Sequence, residues 1–344
     1  MSIDLQAIRS AITRPGGMSA EETRATIAAL MSGTVTVEEG ATLLEAWSAR
    51  GETADELMAV VLTLLTRATA PVAPRRCLDI VGTGGSGLTR YNVSTTAAFA
   101  LAAAGVPVAK HGNKGSSRPN GAFDLLEALG IPFALPPAAL DRLLVETGVC
   151  FLFARTLHPA MAAVAPMRRM CPRRTIFNLA GPLANPWRPC RQLIGCSRTH
   201  TAGIVADAVA RLGLERTLVV VGHPGIDEIS VVGPTERWLV HGGQVHHDIA
   251  RGPEQGEHGD LPGGDGSENA LIFHRLLDGS ERGPLYNMVV TNAGAALNLW
   301  LDRDLDDPAG AANIHQLFAT GAVKDTFETH RRLAARLVEP ENRS

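Results

Sequence analysis

The residues best suited to bind a phosphorylated ligand lie between positions 77 and 114. An apolar run over 78–81 ends in a glycine-rich turn over 82–87, and a polar cluster over 92–96 then opens an alanine-rich stretch. A second apolar run ends in a polar loop over 110–113. Glycines let the backbone approach a ligand closely, and free amides at a helix start favour anions. The pattern predicts a strand, a glycine turn, a helix start and a second strand around a phosphorylated metabolite.

The glycine turn alone leaves two interpretations open. It is not a GxGxxG motif and it lacks the P-loop lysine, so a tight turn without a ligand would show the same pattern. Ser94 and Thr95 would equally serve to cap a helix. The polar loop that begins at Lys110 favours binding, because such a loop after an apolar strand is a poor choice for packing alone.

Two clusters farther along the chain carry charges suited to a carboxylate and to a metal. The first contains Arg155, His158 and arginine pairs at 168–169 and 173–174. Adjacent arginines are typical of a solvated helix face, but an arginine also suits bidentate recognition of a carboxylate. The second cluster is the acidic pair at 227–228, in a glycine loop after an apolar run. Such acids are usually solvated, but beside a phosphate site they would hold Mg²⁺ through carboxylates and water.

These residues need a scaffold, and alternating strands and helices are predicted from residue 76 onward. We predict strands at 78–81, 106–109, 150–153, 217–221 and 288–291, and helices at 121–129, 137–146, 201–212 and 294–301. The alternation indicates an α/β fold with a mainly parallel sheet. Ligands of such sheets lie at the carboxyl ends of the strands.

The first 70 residues show a different pattern, with apolar positions at helical spacing. Ser19 and Glu22 form a capping-box pattern before a predicted helix at 23–31. Further helices are predicted at 35–49 and 54–69. Nothing in this region suggests chemistry, so we interpret it as a packing or dimerisation region.

Length and composition bound the class of protein. A chain of 344 residues exceeds the usual size of one domain, so two domains are expected. Aromatic residues make up 4% and the net charge is −3, which argues against nucleic-acid binding. The five cysteines include no CxxC pair and are expected to be free thiols. The start of the chain lacks a signal-peptide pattern and the most apolar segment is too short to span a bilayer, so we expect a cytoplasmic protein.

Taken together, the motifs resemble those of the anthranilate phosphoribosyltransferase family. The resemblance rests on a series in the family's order and at compatible spacing: GTGG, NVST, KHGN, DLLEALG, HPA, RTIFNLAGPLANP and DEIS. MSG at 31–33 and RGET at 50–53 resemble the family's helical N-terminal domain. Such an ordered series over nearly the whole chain is far more specific than any single motif.

The resemblance implies a fold and a reaction. The fold is a small all-helical domain plus a larger α/β domain with a mainly parallel central sheet, in a homodimer. The helical domain would comprise 1–72 with a helical segment near 172–190, and the α/β domain 73–171 with 191–344. The reaction transfers a 5-phosphoribosyl group from phosphoribosyl pyrophosphate to the amine of anthranilate and releases pyrophosphate, in tryptophan biosynthesis. It needs no protein nucleophile, since alignment of the two substrates supplies much of the rate.

By motif match, three groups of residues would bind the ligands. The donor group comprises Gly82, Thr83, Gly84, Gly85, Ser86, Asn92, Ser94, Thr95 and Lys110. The acceptor group comprises Gly82, Asn113, His158, Arg168 and Gly181, with Arg168 facing the carboxylate of the acceptor. The Mg²⁺ group comprises Ser94, Asp227 and Glu228. Mg²⁺ and oriented amides would stabilise the departing pyrophosphate.

The chain departs from the family pattern around the pyrophosphate and the metal. Ser86 replaces the aspartate that follows GTGG, Lys114 replaces an arginine, and Ala122 stands where a small serine is expected. Lys114 keeps the positive charge but loses the fork of a guanidinium. Replacement charge is expected from Arg118 or Arg90.

These departures leave other functions open at this level. The same scaffold would serve a glycosyltransferase or phosphorylase with a different acceptor or donor, which a substrate panel would identify. A non-enzymatic paralogue that binds nucleic acid is a further alternative, and the negative net charge argues against it.

Overall fold

The computed structural model describes residues 4–69, 76–85, 90–115, 118–252 and 261–338. In these ranges the chain forms a helical N-terminal region and a seven-stranded sheet with helices on both faces. A short 3₁₀ helix spans Pro159–Ala162. In chain order, the other elements are α1 (Leu5–Thr13), α2 (Ala20–Met31), α3 (Val37–Arg50), α4 (Ala54–Thr66), β1 (Leu78–Gly82), α5 (Val93–Ala103), β2 (Val108–Gly112), α6 (Ala122–Ala128), α7 (Pro137–Thr147), β3 (Val149–Phe153), α8 (Ala154–Leu157), α9 (Ala165–Met170), α10 (Ile176–Leu183), β4 (Arg191–Gly195), α11 (Thr199–Leu212), β5 (Arg216–Gly222), β6 (Thr235–His241), β7 (Gln244–Ala250), α12 (Gly266–Asp278), α13 (Pro284–Trp300), α14 (Pro308–Ala319) and α15 (Ala322–Val338).

The N-terminal helices begin where their capping residues predict. In α2, α3 and α4 the hydroxyl of Ser19, Thr36 or Thr53 accepts a hydrogen bond from the amide of a glutamate three residues later. That glutamate bonds back to the cap amide, which satisfies two otherwise unpaired donors. The capping box predicted at Ser19 is therefore confirmed, and all three predicted helices are present with ends shifted by a few residues.

The sheet has the strand order β3-β2-β1-β4-β5-β6-β7. Strands β1 to β5 pair in parallel, whereas β6 and β7 add an antiparallel edge. The chain runs outward from β1 to β2 and β3 on one side, and to β4 and β5 on the other. The strand order therefore reverses between β1 and β4, where open α/β sheets form a ligand-binding crevice at the carboxyl ends. The mainly parallel α/β fold is confirmed.

One predicted strand is wrong. Residues 288–291 lie inside α13, which also absorbs the helix predicted at 294–301. Met288, Val289 and Val290 are buried in that helix. A short apolar run does not by its periodicity distinguish a buried strand from a buried helix. Here the 17-residue length of the helix, begun by Pro284, decides the assignment.

Three strands were missed. The short β4 follows a proline-rich stretch that resembled a loop, yet it lies in the centre of the sheet with all five residues buried. Strands β6 and β7 form a hairpin whose turn contains Gly242 and Gly243, both with positive φ. Two such glycines between β-rich runs are a strong hairpin signal that sequence reasoning overlooked.

Two hydrophobic clusters lie on opposite faces of the sheet. In β5 the side chains alternate between them, with Leu218 and Val220 in one cluster and Val219 and Val221 in the other. The first cluster joins the sheet to α5, α13 and α15. The second joins it to α11, to the N-terminal helices and to α10. The chain division at 72, 172 and 190 stays a prediction, since α10 shares a continuous core with both the helices and the sheet.

The five cysteines are free, and four of them are buried, as expected. Among the described residues, no helix is long and apolar enough to cross a membrane.

Candidate active site at the carboxyl ends of β1 and β4

Two glycines allow an acidic loop to lie directly on the strand ends. Gly82 at the end of β1 is paired with Gly195 at the end of β4. A Cβ on Gly82 would lie 2.4 Å from Oδ2 of Asp227, and a Cβ on Gly195 would lie 1.7 Å from the backbone oxygen of Asp227. At Gly195 a side chain would collide with the backbone of the loop that follows β5, and at Gly82 it would displace the carboxylate of Asp227. The close approach brings the acidic pair predicted from DEIS onto the glycine turn.

The acidic pair is held by the turn and by an arginine. The amide of Gly84 donates to Oδ2 of Asp227 over 2.9 Å. The guanidinium of Arg90 donates to both Asp227 and Glu228. Burial raises the pKa of Glu228, the neighbouring Asp227 adds to the rise, and Arg90 opposes it. Arg90 is thus a positive charge in direct contact with both acids, and its role as a replacement charge stays a prediction.

Lys110 lies beneath the same turn. Its Nζ donates to the carbonyl of Ile80 over 2.7 Å, and the residue is only 2% exposed. Burial lowers the pKa of Lys110 to about 8, against the opposing effect of Asp79, Asp227 and Glu228. The ammonium therefore lies within electrostatic range of the acidic pair and remains largely protonated at neutral pH.

A buried carboxylate organises the strand ends around Lys110. Burial raises the pKa of Asp79 to about 6, and Lys110 lowers it. Oδ1 of Asp79 accepts from the amide of His111 over 3.2 Å, and Oδ2 accepts from Nδ2 of Asn185 over 3.0 Å. Asn185 also donates to the carbonyl of Ala109 over 2.8 Å. This network ties β1, β2 and the segment after α10 into one rigid edge.

The predicted helix start is present and bears on the site. Asn92 is the N-cap of α5, and its Nδ2 donates to the carbonyl of Asn120 over 2.8 Å. Its Oδ1 accepts from Asn269 over 2.9 Å, so Asn92 fastens α5 to two neighbouring segments. Ser94 and Thr95 lie in the first turn of the helix. The Oγ1 of Thr95 is buried without a hydrogen-bond partner in the described part of the chain.

Two residues of the predicted acceptor group, His158 and Gly181, are joined through a second histidine, His111. His158 Nε2 donates to the carbonyl of Ala184 over 2.8 Å, and His111 Nδ1 donates to the carbonyl of Gly181 over 3.1 Å. The two rings meet edge to face, 5.4 Å apart. Burial, followed by the proximity of His158, lowers the pKa of His111 to about 3, so its imidazole is neutral. Each ring has one buried nitrogen without a partner among the described residues, His111 Nε2 and His158 Nδ1.

Arg168 and Asn113, also predicted for the acceptor, make contacts with other residues, and their place in one group stays a prediction. The guanidinium of Arg168 lies 5.7 Å from the ring centre of Phe177 on α10, and burial lowers its pKa. Asn113 follows β2 and its Oδ1 accepts from the amide of Lys114 over 2.8 Å. A Cβ on Gly181 would meet no atom within 4 Å, so space is open beside it.

Two residues near the site were missed by sequence reasoning. His111 stands between two predicted residues in KHGN, which was the available signal. Arg174 donates to the carbonyls of Thr83 and Gly84, and its own carbonyl accepts from Oγ of Ser48 over 2.7 Å. Arg174 thereby links α3 of the N-terminal region to the glycine turn. No local pattern distinguished it from its neighbour in an arginine pair.

The departures from the family pattern have partly visible consequences. Ser86 lies outside the described residues. Lys114 pairs with Glu127 over 2.7 Å and lies 5.6 Å from the ring centre of Phe133. Ala122 is the first residue of α6. Lys114 is therefore occupied by a partner on α6.

The donor set fits a magnesium ion that arrives with a phosphate ligand. No group of three or more His, Cys, Asp or Glu side chains suited to a metal occurs within the described ranges. Mg²⁺ is commonly bound by one or two carboxylates together with substrate phosphates and water. Asp227 and Glu228 supply two such carboxylates, and the guanidinium of Arg90 stands beside them where a cation would bind. These residues fit the predicted ion.

Comparison with known proteins defines the class first. Residues 75–324 match the glycosyl transferase family, a/b domain. The chain is an enzyme of the pentosyltransferase kind.

Similar proteins then identify the family within this class. Anthranilate phosphoribosyltransferases of Methylorubrum extorquens (strain PA1) and Rubrobacter xylanophilus are 43% and 42% identical to this chain over 284 and 288 residues. Both alignments cover 81% of this chain, and they cover 84% and 83% of the respective relatives. The crystal structure of anthranilate phosphoribosyltransferase from Thermus thermophilus matches with a TM-score of 0.85 at 37% identity, over 96% of this chain and 99% of that one.

A more distant structure has the same fold. Anthranilate phosphoribosyltransferase from Saccharomyces cerevisiae in complex with PRPP (phosphoribosyl pyrophosphate) and Mg has a TM-score of 0.87 at 24% identity, over 96% of this chain and 98% of that one. From the nearer relatives, the chain belongs to the anthranilate phosphoribosyltransferase family. The predicted enzyme class is confirmed, and with it the anthranilate phosphoribosyltransferase reaction of tryptophan biosynthesis.

Proposed function

We propose that this chain binds phosphoribosyl pyrophosphate at the carboxyl ends of β1 and β4 and transfers its 5-phosphoribosyl group to the amine of anthranilate. One observation carries the proposal: the amide of Gly84 donates to the carboxylate of Asp227, and the buried ammonium of Lys110 lies within electrostatic range of that carboxylate. Amides and an ammonium attract the phosphates, and the carboxylates provide for the metal. This combination suits a pyrophosphate ester bound with Mg²⁺.

The donor would extend from the glycine turn to the start of α5. A Cβ on Gly84 would meet no atom within 4 Å, so its backbone is open to a ligand, whereas Gly82 faces Asp227 and Gly85 faces Arg174. Ser94 and Thr95 bring hydroxyls to the first turn of α5. The unpartnered Oγ1 of Thr95 supports this assignment, because a buried hydroxyl without a partner is costly unless a ligand satisfies it. Thr83, Ser86 and Asn92 belong to the same proposed group.

The acceptor would lie between the histidine pair and Arg168. A guanidinium suits the carboxylate of an aromatic acid, and the open space beside Gly181 admits a flat ring. The free nitrogens of His111 and His158 are lone-pair acceptors in the tautomers that their carbonyl partners require. These nitrogens can each accept a hydrogen bond from the amine of the aromatic acid. Asn113 belongs to the same proposed group.

The chain's own residues act by positioning and charge. Lys110 attracts the anionic donor through its charge from beneath the glycine turn, while the turn amides orient the pyrophosphate. Arg168 orients the acceptor, so that its amine faces the anomeric carbon as the bond to pyrophosphate lengthens. Asp227 and Glu228 would hold Mg²⁺, which would supply positive charge for the departing pyrophosphate. Alignment of the two substrates then supplies much of the rate without a protein nucleophile.

The test is product formation by the purified chain. Incubation with phosphoribosyl pyrophosphate, anthranilate and MgCl₂ should yield phosphoribosyl anthranilate. The reaction is monitored through the loss of anthranilate fluorescence. Asp227→Asn should lower kcat/KM by about 100-fold or more, because it removes a charge that contacts the metal. Asp207→Asn, on the exposed side of α11, is the matched control and should be silent. Absence of product from the wild-type chain would refute the proposal. A homodimer and a cytoplasmic location stay predictions of the family resemblance.

A further inference from the structure

The guanidinium of Arg90 is bonded to both acids of the pair, Asp227 and Glu228, and leaves little room for a metal ion. Its Nη2 donates to Oδ1 of Asp227 and its Nη1 donates to Oε2 of Glu228. The second oxygen of Asp227 accepts from the amide of Gly84. Three of the four carboxylate oxygens therefore already have donors. A cation can reach them only where the guanidinium withdraws.

The surroundings make this ion triad strong. The side chains of Arg90, Asp227 and Glu228 are 12%, 9% and 13% exposed. A cavity of only about 10 Å³ adjoins Arg90 and Glu228, and its walls include Leu261, Leu285 and Met288. That volume barely admits a water molecule. Water screens the charges poorly here, so each acid depends on the guanidinium for its compensation.

Other contacts fix Arg90 in this position. Its backbone carbonyl accepts from Nδ2 of Asn269 on α12 over 3.2 Å, and the same amide group binds the N-cap of α5. Lys110 does not substitute for Arg90, because its Nζ is committed to the carbonyl of Ile80 beneath the turn. The backbone contact with Asn269 thus holds Arg90 in place while its guanidinium contacts the acidic pair.

We propose that Arg90 is a built-in counter-ion that keeps Asp227 and Glu228 closed to free divalent metal, so that the metal enters only together with the phosphorylated donor. The inference rests on the proposed function, since it concerns the same acidic pair. Two adjacent carboxylates alone attract a divalent cation strongly, whereas two carboxylates with one guanidinium carry only one net negative charge. A metal already bound to pyrophosphate arrives with phosphate oxygens, which can accept the hydrogen bonds of the guanidinium in place of the carboxylates. Arg90 then moves from the carboxylates to the donor's phosphates, a contact that a guanidinium suits.

The test measures metal binding without substrate. Mn²⁺ alone is titrated into the purified chain, and free Mn²⁺ is followed by electron paramagnetic resonance. Arg90→Gln should bind Mn²⁺ about tenfold or more tightly than the wild type, since it restores a full negative charge to the pair. Arg90→Lys keeps the charge but cannot bond both acids at once, so it should fall between the two. Arg142→Gln removes an exposed arginine of α7 and should match the wild type.

A second variant locates the new affinity. Adding Asp227→Asn to Arg90→Gln should return Mn²⁺ binding to the wild-type level. Equal Mn²⁺ affinity in the wild type and both Arg90 variants, with unchanged circular dichroism, would overturn the proposal. If Arg90→Gln does not fold, the Arg90→Lys titration decides the question. Turnover of the wild type is measured separately. An active wild type with no gain in Mn²⁺ affinity for Arg90→Gln would refute only this inference. The expected gain in affinity without any product from the wild type would refute only the proposed function.

Discussion

Replacing Gly82 by alanine tests whether the acidic pair works only at its present distance from the glycine turn. The added Cβ would lie 2.4 Å from Oδ2 of Asp227, where ordinary contact begins at 3.4 Å. The carboxylate must therefore retreat by about 1 Å, and a misplacement of that size costs about 100-fold in rate. The retreat also weakens the 2.9 Å hydrogen bond from Gly84.

The same structure predicts a small effect of this substitution on folding. The obstructed atom is the end of a side chain rather than backbone, so the strain is relieved locally. We expect kcat/KM for phosphoribosyl pyrophosphate to fall by about 100-fold while Tm falls by no more than about 4 °C. Gly203→Ala is the matched control, since a Cβ there meets nothing within 4 Å and Gly203 lies inside α11. Activity of Gly82→Ala within twofold of the wild type would show that the rate does not depend on the position of the Asp227 carboxylate.

Three further predictions concern the charged groups around the site. Because burial lowers the pKa of Lys110 to about 8, the lysine loses its charge as the pH rises through that value. The KM for the anionic donor should then rise above about pH 8, and a Lys110→Arg variant with a flat profile would identify the titrating group. Arg168→Lys should raise the KM for anthranilate by about tenfold through loss of the bidentate fork, and an equal effect of the exposed Arg169→Lys would contradict the assignment. Arg174→Gln should raise the KM for the donor by about tenfold, because two charge-assisted bonds to carbonyls of the glycine turn are lost. Arg173→Gln is the control for Arg174→Gln, and both are measured by initial-rate kinetics at varied donor concentration. The same KM in both variants would contradict this prediction.

Most of the α/β scaffold was predictable because its strands and helices have clear local signals. Apolar runs that end in glycine or polar loops marked β1, β2, β3 and β5, and the N-terminal helices carry explicit capping boxes. The run at 288–291 was misread because its apolar residues are buried in either type of element. Strand β4 was missed because five buried residues after a proline-rich stretch show no alternation.

The site was predictable in composition but not in its internal contacts. The motifs indicated Gly84, Lys110 and Asp227, and the topology explains why they meet, since β1, β2 and β5 end at the same edge of the sheet. Arg90 and Arg174 have partners that lie 137 and 90 residues away along the chain. No local pattern carries information about such distant pairs. Their identification required the fold.

The most direct test of the central claim is a crystal structure of the chain with phosphoribosyl pyrophosphate, Mg²⁺ and 4-fluoroanthranilate. We expect the pyrophosphate at the glycine turn above Lys110, the metal on Asp227 and Glu228, and the aromatic acid in the same cleft with its carboxylate on Arg168. Donor and acceptor bound in separate cavities, or pyrophosphate remote from the glycine turn, would contradict it.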